Sequence, residues 1–163
     1  MVKYEDYRRA LCVLDPYGLQ LNWEIISTAG KLQTSEIFLN FPVMDMNRNV
    51  LWRNPKKVSS NQVERMNRFW GDDTWRNVVY TQPAQMSFNG FGIEEKEKGT
   101  NEDIVEAFRQ RLIKVAKFQH VPKPVAMRNR QNAVVYFLFF AANKPAAAEI
   151  VEDIFMKYSE IGK

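Results

Sequence analysis

The densest chemistry in the sequence is Asp15-Pro16-Tyr17-Gly18, which follows the apolar stretch 9–14 (RALCVL). A carboxylate, a proline and an aromatic side chain at the end of a strand stand where α/β sheets bind ligands, at the carboxyl ends of their parallel strands. The same four residues equally suit an ordinary strand-terminating turn. Asn40 closes a second apolar stretch, 35–41 (SEIFLNF), ahead of Pro42. It is expected beside Asp15 as a further polar group, with Phe41 in the core.

A second constellation runs from Arg48 to Arg76. It holds seven cations (Arg48, Arg53, Lys56, Lys57, Arg65, Arg68, Arg76) against three acids (Glu64, Asp72, Asp73). The excess equals the formal charge of the whole chain, +4. Trp52, Phe69, Trp70 and Trp75 are interleaved. Cations for a phosphate backbone and rings for bases make a single-strand platform. The competing reading is a small hydrophobic subcore edged by long cations, with Trp70 and Trp75 inside and Trp52 exposed. A further basic group (Arg109, Arg111, Lys114, Lys117, Lys123, Arg128, Arg130) reads as the solvated side of a helix and the flanks of a turn.

Single residues exclude much else. One Cys, Cys12, rules out an internal disulfide framework and a thiolate zinc cluster, and one His, His120, rules out a bis-histidine metal site. No metal is expected. Cys12 reads as a small buried hydrophobe, His120 as structural, and Asp72 and Asp73 as helix caps.

These residues need elements to position them. Residues 9–14 read as a buried strand. Asn22 can cap a helix to Leu32, with Ile25, Ile26, Ala29 and Leu32 inward and Gly30 as its weak point. Residues 35–41 form a second buried strand, and strand–helix–strand at this spacing is a βαβ unit with parallel strands. Short helices over 44–52 and 61–70 follow, the first expected to carry Arg48 and Arg53, with Ser59 or Ser60 capping the second. Asp72 or Asp73 opens one more turn, and 82–99 reads mostly as loop. Asn101 caps a long helix, 102–118, with Ile104, Val105, Phe108, Leu112, Val115 and Ala116 in one stripe. Strands at 125–128 and 133–142, joined by 129–132, make a hairpin. A last helix opens at Asn143 and Pro145, its inner face Ile150, Val151, Ile154, Phe155 and Tyr158. The run from Val134 to Phe140 is apolar on both faces and belongs inside a sheet. The expected class is α/β with a mixed sheet.

At 163 residues, 45% hydrophobic and 26% charged, the chain has the size and composition of one folded domain, 1–163. The start lacks the pattern of a secretory signal, and the longest apolar run, 133–142, is far short of the about 20 residues of a membrane span. A cytoplasmic protein without a membrane partner is the expectation.

The segments LDPYGLQL (14–21), FLNFPVMDMNR (38–48) and FWGDDTW (69–75), with the aromatic strand near the end, resemble the three-Cys-motif partner family, whose members are similar to class I S-adenosylmethionine-dependent methyltransferases. The resemblance spans nearly the whole chain and about the C-terminal half of the family pattern. It implies a truncated Rossmann-like domain and possible S-adenosylmethionine chemistry on an amino group of a nucleic acid. Under it, Asp15 orients the amine, Pro16 stiffens the turn and Tyr17 stacks on the base; the residues read above from position and charge, Asn40, Arg48, Trp52, Arg53, Arg65 and Arg68, are the candidate substrate contacts beside them. The family's glycine-rich cofactor loop has no counterpart before Asp15, and the only G-x-G, Gly90-Phe91-Gly92, lies in a loop. Methyl transfer is therefore expected only where another chain supplies the cofactor lobe. The alternative is a non-catalytic nucleic-acid or protein interaction module. Without that lobe, the strand from Arg9 to Leu14 becomes an open sheet edge, which predicts homodimerisation or a partner chain across it.

Overall fold

The computed structural model describes residues 9–81 and 97–161. Its centre is a four-stranded mixed sheet in the order β1 (Ala10–Leu14), β2 (Ser35–Phe41), β6 (Val134–Ala141), β5 (Val125–Arg128). β1 and β2 are parallel, joined through helix α1 (Trp23–Leu32), as the βαβ spacing predicts. β6 is antiparallel to both β2 and β5. Its apolar run on both faces suits an inner strand with layers above and below.

Five α-helices lie between β1 and β5 in the chain: α1, α2 (Val43–Asn49), α3 (Ser60–Trp70), α4 (Trp75–Val79) and α5 (Asn101–Lys114). A sixth, α6 (Pro145–Ile161), follows β6. The larger core joins Ile37, Leu39 and Phe41 of β2 and Phe139 of β6 to Ile26, Met66, Phe69 and Phe108. Phe108 is its hub, with Phe41, Phe69, Trp70 and Phe139 rings at 4.7–5.7 Å. A smaller core on the other face packs Phe38, Leu138 and Phe140 under Val151 and Phe155 of α6. The sheet is thus covered on two sides, thickly on one and by a single helix on the other.

Several expectations change. β1 is not a buried strand: its side chains alternate, and Leu11 and Val13 are 55% and 72% exposed, with no described residue packed over them. Cys12 is accordingly half-buried. Ile25 of α1 faces solvent, as do Ile150, Ile154 and Tyr158 of α6, whose inner face is Ala148, Val151 and Phe155. One helix over one sheet face buries a narrow stripe, and the flanking apolar positions stay out. Arg53 lies beyond the end of α2.

The long helix starts at Asn101, capped by Thr100 in a reciprocal capping box with Asp103, and stops at Lys114. Lys117 takes φ 70° and the Phe118 amide returns to the Leu112 carbonyl at 3.1 Å, a left-handed closure that leaves Val115 exposed and Ala116 buried. Part of the expected 82–99 loop is strand: β4 (Glu97–Lys98) pairs with β3 (Tyr80–Thr81). The Gly90-Phe91-Gly92 segment lies outside the described residues. No helix among the described residues is long and apolar enough to cross a membrane.

Candidate functional site

The carboxyl ends of β1 and β2 bring together two of the residues singled out in the sequence. Asn40 Nδ2 donates to Asp15 Oδ1 at 2.7 Å, a bond spanning 25 residues between neighbours in the parallel register, in which Leu14 stands opposite Leu39. Asp15 retains its second oxygen and Asn40 its carbonyl as acceptors. Tyr17, two residues past the strand, is 86% exposed. Its ring is held out by the turn, where Pro16 fixes the preceding backbone and Gly18 takes φ +56°.

Asp45, on α2, underpins that turn. A Cβ on Gly18 would stand 2.6 Å from Asp45 Oδ2, so the carboxylate occupies the space that glycine leaves. Its other oxygen accepts from Asn49 Nδ2 at 2.7 Å, while Oδ2 is buried with no hydrogen-bond partner. The sequence offered no signal for this residue beyond a helix-start acid.

Arg48 is exposed on α2, and its carbonyl accepts from Trp52 Nε1 at 2.7 Å. Trp52 is 41% exposed, and the Tyr80 hydroxyl donates to its carbonyl at 2.9 Å. Burial pushes the Tyr80 phenol above its ordinary range, against the opposing effect of the Arg76 charge. Arg53, Lys56 and Lys57 are exposed in the segment that follows.

The remaining aromatics of the basic segment are core. Phe69, Trp70 and Trp75 are buried, with Trp70 Nε1 donating to Thr74 Oγ1 at 3.1 Å and Trp75 Nε1 to Asn67 Oδ1 at 2.7 Å. Trp52 alone of the four interleaved rings offers a face to solvent. On α3, Arg65 donates to Gln62 at 2.9 Å and Arg68 pairs with Glu64 at 3.1 Å across one exposed turn. Arg68 also lines an open hollow of about 520 Å³ with Trp23, Glu24 and Lys31; Asp15, Tyr17 and Asn40 do not line it. Of the sequence-predicted contact residues the structure joins Asn40 to Asp15, whereas Arg48 lies on α2, Trp52 and Arg53 follow it, and Arg65 and Arg68 lie on α3.

The second basic group is less solvated than its pattern suggests. Arg111 lies across the Trp23 ring at 4.8 Å, donates to the Trp70 carbonyl at 2.6 Å and pairs with Asp72 at 2.6 Å. Arg109 donates to the Val121 carbonyl at 2.7 Å. His120 exchanges two backbone hydrogen bonds with Ala142, extending the β6 ladder. Among the described residues, no group of three or more His, Cys, Asp and Glu could hold a metal ion.

The turn between β1 and α1 is not a glycine-rich loop of the nucleotide-cofactor kind. A nucleotide cofactor needs a backbone that approaches it over several glycines at a helix start. Here Gly18 is the only glycine between β1 and α1, and the Asp45 carboxylate fills its open side.

No protein-family model, no curated protein and no solved structure matches the chain, so its resemblance to the three-Cys-motif partner family rests on the quoted segments alone.

Proposed function

We propose that the β1–β2 end of this Rossmann-like sheet binds an amine-bearing planar ring, such as a base of single-stranded nucleic acid. The single observation that carries this reading is the Asp15–Asn40 pair at 2.7 Å beside the outward Tyr17 ring. The pair offers acceptors for an exocyclic amine, and the ring offers a stacking face. The exposed cations Arg48, Arg53, Lys56 and Lys57 supply charge for the phosphate backbone, and Trp52 a second ring. Arg65 and Arg68 extend the basic surface along α3. The domain acts in this reading as a binding module. Methyl transfer to the bound amine belongs to an assembly in which another chain brings S-adenosylmethionine.

Fluorescence anisotropy with a labelled adenine- or cytosine-rich oligonucleotide tests it. Binding should weaken with salt, and Tyr17→Ala should lower affinity about tenfold, the effect of one lost base stack. Asp15→Ala should erase the preference over oligothymidine, which lacks an exocyclic amine. Salt-insensitive binding, or a Tyr17→Ala protein that binds as well as the parent, overturns the reading.

A further inference from the structure

The geometry points to a two-fold dimer in which β1 pairs antiparallel with β1 of a second copy, centred on Cys12. Among the described residues, β1 is an outer strand of the sheet. The Ala10 amide donates to the Thr34 carbonyl, and the parallel register with β2 then spends the N–H and C=O groups of Ala10, Cys12 and Leu14 inward. Those of Leu11 and Val13 point out of the sheet, with Arg9 and Asp15 in the same phase at the two ends.

The two edges of the sheet differ in their protection. β5 carries Arg128, a register break between Met127 and Arg128, and Pro124 just before it. A charge, a bulge and a proline are the devices that keep an edge from pairing. β1 has none: Ala10–Leu14 is wholly apolar, without proline or irregularity. Its bare side chains continue a layer. Val13 stands opposite Phe38, which meets the Phe155 ring of α6 at 6.3 Å. Leu11, Val13, Ile150 and Ile154 are 55%, 72%, 62% and 43% exposed.

The occupant is a second copy because the strand is complementary to itself. A two-fold axis at Cys12 sets Leu11 opposite the partner's Val13, each pair exchanging both backbone hydrogen bonds. The same register sets exposed Arg9 opposite the partner's Asp15, and Asp15 opposite the partner's Arg9, so two ion pairs close the ends. Shifting the axis to Leu11 or Val13 keeps the hydrogen-bond phase but loses both ion pairs. In the favoured register the partner's Arg9 stands beside the Asp15–Asn40 pair, so each copy adds a cation to the other's ligand-binding end.

Sedimentation velocity of the full chain, with thiol cross-linking, tests the pairing. Two Cys12 residues would face each other as a non-hydrogen-bonded pair with Cα atoms about 4.5 Å apart, within disulfide reach. Cys12 is the only cysteine, so oxidation by copper–phenanthroline should give one covalent dimer. Val13→Lys, at an exposed position, should give a folded monomer by circular dichroism and sedimentation. Arg9→Asp should weaken the dimer at least tenfold, and Arg9→Asp with Asp15→Arg together should restore it. A parent chain that stays monomeric at 100 µM (roughly the tenfold excess over a 10 µM dissociation constant) overturns the proposal. So does a dimer that neither cross-links at Cys12 nor responds to the charge reversals.

Discussion

Gly30 of α1 meets the carbonyl of Ala116 backbone to backbone: a Cβ on Gly30 would lie 2.0 Å from that oxygen. The contact lets α1 settle against the turn that closes α5, and Asn143 Nδ2 donates to the Gly30 carbonyl from the start of α6 at 3.4 Å. A position that sequence reading treats as a weak point is where α1 meets the end of α5 backbone to backbone.

Gly30→Ala should therefore destabilise the protein by about 3 kcal/mol, as overpacking against backbone does. Helix propensity alone predicts the opposite sign, a gain of about 1 kcal/mol. Urea unfolding followed by circular dichroism separates the two, and a raised midpoint would show that the contact relaxes without cost.

Arg111 ties α1, α3 and α5 together. Its side chain is 11% exposed, stacked on Trp23 and paired with Asp72 and the Trp70 carbonyl. Truncation removes the cation–π contact and leaves a carbonyl without its donor. Arg111→Ala should cost about 3 kcal/mol in chemical unfolding, whereas Lys114→Ala, exposed on the same helix, should cost under about 0.5 kcal/mol. Arg111→Lys should recover only part of the loss, since an ammonium cannot stack flat and donate in two directions.

Two carboxylates tie stability to acid. Burial raises the Asp72 pKa, but hydrogen bonds from the Thr74 hydroxyl and amide, and from Arg111 with its charge, outweigh it and hold the group below its ordinary range. Asp103 is lowered by the Thr100 amide and hydroxyl, against a small burial effect. Both bind protons more readily in the unfolded chain. Their stabilisation is complete above the ordinary carboxylate value of about 4, declines as pH falls through it, and is gone below the folded values. Unfolding free energies from pH 6 to pH 2 should therefore fall less steeply in Asp72→Asn/Asp103→Asn than in the parent, and parallel curves would contradict this.

Gly18→Ala attacks the turn that presents Tyr17. The added methyl meets Asp45 Oδ2 at 2.6 Å, and φ +56° disfavours any L side chain. A loss of about 2 kcal/mol is expected. Oligonucleotide affinity should fall in the same variant while it is still folded at low temperature, because the Tyr17 ring is displaced. Unchanged affinity would separate the turn from the binding surface.

Local pattern was enough for much of this protein. The βαβ unit, the limits of β2, the β5–β6 hairpin and the adjacency of Asp15 and Asn40 all follow from period, turn residues and strand pairing, which neighbouring residues dictate. Burial of Phe69, Trp70 and Trp75 was one of two open readings. Tertiary structure alone decided which side of each apolar element meets another layer. It left Leu11, Val13, Ile25, Ile150 and Ile154 in solvent, drew Arg111 between Trp23 and Trp70, set Asp45 behind Gly18 and paired Tyr80–Thr81 with Glu97–Lys98. The physical reason is that hydrophobic periodicity records how much of an element can be buried, whereas what is buried depends on partners tens of residues away and on how widely each one covers it.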